Sequence, residues 1–95
     1  MESASSFALD GPLSRHLVPR RELLVAGRRY RIWLNIASIA QGKVCVWVGG
    51  NRTGFFATPG EHVEEVAAGS EQAVAVQGIN AAAVIEAVAV KELRG

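Results

Sequence analysis

A single cysteine, Cys45, has no partner in the chain, so an intrachain disulfide and a thiolate zinc site are both excluded. His16 and His62 are the only histidines, lie far apart, and fall in no metal-ligand spacing. No apolar run approaches the roughly 18 residues that span a bilayer. The start Met-Glu-Ser-Ala-Ser-Ser has neither the basic segment nor the apolar stretch of a signal peptide. Synthesis in a cytoplasm, with no membrane partner, is therefore expected. Net charge is also scarce, +1 at neutral pH, and excludes a purely electrostatic function. Aromatics are 6% of residues while hydrophobics are 49%, so any core must be built mainly from aliphatic side chains. Ninety-five residues allow one small domain.

Catalytic constellations are missing as well. A cysteine in mid-strand with no third orienting group does not make a nucleophile. Glu64 and Glu65 fall on opposite faces of a strand and cannot act as a carboxylate pair. The loop Gly49-Gly50-Asn51-Arg52-Thr53-Gly54 lacks the lysine and the following helix of a phosphate loop. The expectation is a protein that is not an enzyme and carries no cofactor or metal.

What charge there is lies unevenly. Arg15, Arg20, Arg21, Arg28, Arg29 and Arg31 crowd the first third, while Glu61, Glu64, Glu65, Glu71, Glu86 and Glu92 crowd the last. Such polarity suits docking against copies of the chain or against a complementary partner. Residues 1–21 show no sustained hydrophobic period and carry Pro12, Pro19 and the turn signal Asp10-Gly11-Pro12. They read as an extended N-terminal arm, with an edge strand at most, and residues 22–95 as the folded domain. Arg15, Arg20 and Arg21 are its candidate partner contacts. Without interleaved aromatics or a recognition motif, the arginines do not point to nucleic acid.

Residues 28–49 carry the clearest pattern. Tyr30, Ile32, Leu34 and Ile36 alternate, then Val44, Val46 and Val48 do the same after Ser38-Ile39-Ala40-Gln41-Gly42. A period of two in adjacent runs predicts a hairpin with an aliphatic core face. Folding about Ala40 pairs Ile36 with Val44 and Leu34 with Val46. It also places Trp33 opposite Trp47, and Asn35 opposite Cys45, on the other face. Trp33 and Trp47 are thus the candidate stacking or interface residues. Further short strands are expected at 22–26, 55–58, 61–67 and 72–77, separated by Gly- and Pro-containing turns, the cadence of an all-β sandwich. Residues 81–93 read equally as an Ala-rich helix capped by Asn80 or as a strand alternating through Val88 and Val90.

From Leu23 to Leu93 the chain resembles a module of bacteriophage virion proteins related to jelly-roll carbohydrate-binding modules. The resemblance rests on Leu24-Val25-Ala26-Gly27 leading into Tyr30-Arg31-Ile32, and on Val44-Cys45-Val46-Trp47-Val48-Gly49-Gly50. It rests also on 59–69 and on the closing Ile85-Glu86-Ala87-Val88-Ala89-Val90-Lys91-Glu92-Leu93. The closing match implies that 85–93 is a strand, with a bulge between Ile85 and Val88. It departs from the family at Glu86-Ala87, where an acidic-amide pair is usual, and in having only the arm before Leu24. The resemblance implies an antiparallel jelly-roll-type β-sandwich with an N-terminal arm. It implies a capsid cement or decoration protein of the virion, made in the host cytoplasm. Such a protein binds the major capsid protein or another virion protein and forms homo-oligomers, a trimer among them. A glycan- or receptor-binding module of a tail or head fibre is the alternative.

Overall fold

The computed structural model describes residues 2–19 and 22–94, with side chains described from Ser5 onward. Five strands and no helix occur among these residues: β1 (Glu2–Leu17), β2 (Arg29–Val48), β3 (Asn51–Arg52), β4 (Gly60–Ala67) and β5 (Val74–Glu92). The order is β1-β5-β2-β3, with β4 also paired to β2, and every pairing is antiparallel. The strand reading of 85–93 holds, and the helix alternative falls.

Three of the strands are too long to be straight. At about 3.3 Å per residue, the 20 residues of β2 would reach roughly 66 Å, yet the molecule measures 37 × 21 × 21 Å. The long strands therefore bend together. The level of the bend is marked by positive φ at Gly11 (117°), Gly42 (78°) and Asn80 (49°), one residue in each long strand. Gly11 pairs with Ala81, and Gly42 lies against the backbone of Ile79, Asn80 and Ala81 with no space for a Cβ. Register shifts between Asn35 and Lys43 provide the slack that turning a corner requires.

The bend divides the sheet into two arms. The first holds residues 29–38 of β2, 84–92 of β5, 2–9 of β1, and β4. The second holds 43–48, 74–79 and 11–17 of the same strands, with β3 and a bridge from Phe56 to Val44. Ile32, Leu34, Ile36, Val88 and Val90 from the first arm join Val44, Val46, Val48, Val74 and Val76 from the second in one buried cluster. Aromatic–histidine stacks stand at both sides of the molecule. Phe7 stacks on His16 at 3.8 Å within β1, and Phe56 stacks on His62 of β4 at 4.7 Å. Each pair joins a residue of one arm to a residue of the other.

Several expectations change. Residues 28–49 are not a hairpin: Arg29–Val48 form one continuous strand whose partner along its length is β5. Ile36 faces Ile85, and Val46 faces Val76, instead of facing Val44 and Leu34. The predicted core face is right because both arms turn it inward. Residues 72–77 and 85–93, read as separate strands broken at Gly78, are one strand. Residues 22–26 are not a strand. The side-chain amide of Gln72 accepts from Leu24 N–H at 2.9 Å and donates to Leu24 C=O at 2.8 Å, replacing a strand neighbour. Residues 55–58 contribute one bridge, at Phe56. Most of the stretch read as an arm is β1, paired with β5 from Glu2 to Leu17, with Leu9 buried in the core. The bulge between Ile85 and Val88 is present: Asn35 faces Ala87 and Ile36 faces Ile85, leaving Glu86 unpaired with β2.

Candidate binding faces

Side chains alternate across a strand, so the residues between core positions point outward from each arm. On the first arm Trp33 is half-buried, between Val63 of β4 and Ala89 of β5. Along the same face lie Asn35 opposite Glu61 and Ala87, and Arg31 opposite Glu65 and Lys91. Glu65 meets Arg29 at 3.4 Å and Arg31 at 3.7 Å, and Glu92 meets Arg28 at 3.6 Å. Part of the charge asymmetry seen along the sequence is thus neutralised within the molecule. The arginines and Glu65 are exposed while Glu92 is half-buried, and ion pairs at such a surface add little to stability.

The second arm presents three rows across its outer face. Leu13, Ile79 and Lys43 form one; Arg15, Gln77 and Cys45 the next; Leu17, Ala75, Trp47 and Arg52 the third. Leu13 and Leu17 are 70% and 65% exposed. Trp47 donates its indole N–H to Gln77 Oε1 at 2.7 Å. Lys43 Nζ lies 4.2 Å and Arg52 Cζ 4.3 Å from the centre of the Phe55 ring, close enough for cation–π attraction. No ion pair between described residues includes Arg15, Lys43 or Arg52. These three residues surround Cys45. Burial pushes its thiol pKa upward, and the charges of Arg52, Arg15 and Lys43, with the Trp47 indole, oppose that rise. A buried thiol of this kind is protonated at neutral pH and inert.

The expected contact residues therefore separate. Trp33 and Trp47 both face outward, but from different arms with the core between them, so the opposed pair is corrected. Asn35 is no neighbour of Cys45; its partners are Ala87 and Glu61. Arg15 shares the Trp47 face, and Arg20 and Arg21 lie outside the described residues. Sequence reasoning missed Lys43, Arg52, Phe55 and Gln77. Lys43 was within reach, since it alternates with Cys45 and Trp47. Arg52 sits in what read as loop, Phe55 opens what read as a short strand, and Gln77 needs the β2–β5 register.

Among the described residues, no group of three or more His, Cys, Asp or Glu side chains is arranged to hold a metal ion. No protein-family model matches the chain, and no curated protein matches it.

Proposed function

We propose that this chain is a structural module of a bacteriophage virion, a jelly-roll-type β-sandwich that cements or decorates the head by binding neighbouring capsid subunits. One observation carries the reading. Among the described residues β1 pairs with β5 alone, so its other side is an open edge there, and beside that edge Leu13, Arg15 and Leu17 point outward. Open edges with exposed apolar residues invite another chain, and leucines flanking an arginine suit a protein contact. The resemblance of 23–93 to virion modules names the context. Two arms wrapped about one core, with the long strands crossing from arm to arm, fit the jelly-roll part of the reading. In place of an arm reaching out from the domain, β1 itself is the docking element.

The test is addition of the purified chain to phage heads assembled without it. Co-sedimentation and a higher melting temperature of the heads are expected, with both lost in Leu13→Ser/Leu17→Ser. A chain that leaves such heads unaltered refutes the decoration role.

A second reading, a glycan-binding module of a fibre, is favoured by Trp33. Trp33 lies between Val63 and Ala89 and near Asn35 and Glu61, an apolar surface flanked by hydrogen-bonding groups. Binding on a neutral-glycan array that Trp33→Ala abolishes would support it, and an array without binding would refute it.

A further inference from the structure

We infer that the outer face of the second arm binds an acidic polysaccharide, with uronate rings stacked on Trp47 and their carboxylates held by Arg52, Lys43 and Arg15. This rests on the glycan-binding reading and moves it to a second face with a different ligand class. The face combines two chemistries. Arg15, Lys43 and Arg52 have no carboxylate partner among the described residues, and none of the residues in the three rows is acidic. Lys43 and Arg52 are held against Phe55, so less side-chain freedom is lost when they engage an anion.

Trp47 supplies the other half. Its indole N–H is already given to Gln77, so what it offers a ligand is ring surface. A sugar ring uses that surface through its C–H groups, and a carboxylate on the same ring reaches the cations. Arg52 is the direct cross-strand neighbour of Trp47, so ring and charge are recognised side by side. Neighbouring strands lie about 4.8 Å apart, and Arg15 is on β1, two strands from Trp47. Charge is therefore available on both sides of the ring, as a chain of successive uronates requires. A polyanion without rings would use the cations but leave the indole face of Trp47 uncovered.

Three polymers separate these contributions: polygalacturonate (ring and carboxylate), dextran (ring alone) and poly-L-glutamate (carboxylate alone). Calorimetry on the intact chain should show polygalacturonate bound at least about tenfold more tightly than either control, a difference of about 1.4 kcal/mol. In Trp33→Phe, where Trp47 is the only tryptophan, its emission should change on binding. Lys43→Ala/Arg52→Ala, both at exposed positions, should weaken binding at least about tenfold, the loss expected on removing charge-assisted hydrogen bonds. Trp47→Phe, which keeps an aromatic cover on the strand, should retain part of the affinity. Equal binding of poly-L-glutamate would overturn the proposal in favour of an acidic protein partner. Equal binding of dextran, indifferent to the double variant, would overturn it while leaving the glycan reading standing. Binding of none of the three overturns it, and the Trp33 array experiment then decides the glycan reading alone.

Discussion

A Cβ on Gly42 would collide with the carbonyl oxygen of Asn80, and both residues have positive φ at the level where the long strands turn. A side chain at position 42 meets two obstacles: the left-handed backbone and the neighbouring main chain, which cannot rotate away. Gly42→Ala should therefore lower stability by about 2–4 kcal/mol, a large part of what a small domain has. Urea denaturation measures it. A loss below about 1 kcal/mol would mean that the corner can relax.

β1 should be indispensable to folding. It contributes Leu9 to the core, 1% exposed, and shields one side of β5. Leu9→Ala should cost about 2–5 kcal/mol, the range for emptying a leucine site. A chain beginning at residue 19 also loses Phe7, His16 and Val18 and should show no cooperative thermal transition. Were that truncation to melt cooperatively, β1 would be an attachment and not a structural strand.

Among the described residues Thr53 is the one buried polar side chain, at 1% exposure. Its hydroxyl accepts from Val46 N–H at 3.0 Å and donates to Gly54 C=O at 2.8 Å. Thr53→Val keeps the shape but strands a buried N–H, and should cost about 1–3 kcal/mol. Thr53→Ser, which keeps the hydroxyl, should cost less. Denaturation midpoints of the two variants check the order.

Cys45 gives a pH signature. Its pKa is raised in the folded state, chiefly by burial, so above the ordinary thiol range the unfolded chain loses a proton that the folded chain retains. Stability relative to Cys45→Ala should be constant below that range and fall as pH rises through it. Iodoacetamide at pH 8 should modify the thiol only after denaturant is added. Rapid alkylation of the native protein would contradict the burial.

Period-two patterning made the strands and the inward face of β2 legible, because burial of one face is a local constraint. The partner of β2 was not legible. Ile32, Leu34 and Ile36 and then Val44, Val46 and Val48 show the same parity whether the chain doubles back at Ala40 or runs on through a corner. Pairing with β5, distant in sequence, and the close approach of Gly42 to Asn80 distinguish the two. The bulge at Glu86 was readable because Ile85 and Val88 break step within one strand. β1 was not: serine, arginine and proline conceal a strand whose pairing comes from β5. The binding faces suffered most, since Trp47 meets Arg52 and Gln77 only once three separate segments are aligned.

Because β5 lies between β1 and β2, the last strand in chain order is the one both earlier long strands need. A ribosome that has made β1 to β4 has produced a β2 paired with β3 and β4 on one side only and a β1 with no partner, and the Leu9 side chain then has no wall to pack against. Folding of this segment must wait until residue 92 has cleared the exit tunnel. Contacts between β1 and β5 then close loops of up to nearly the whole chain, a topology that places folding at the slow, millisecond-to-second end of the range.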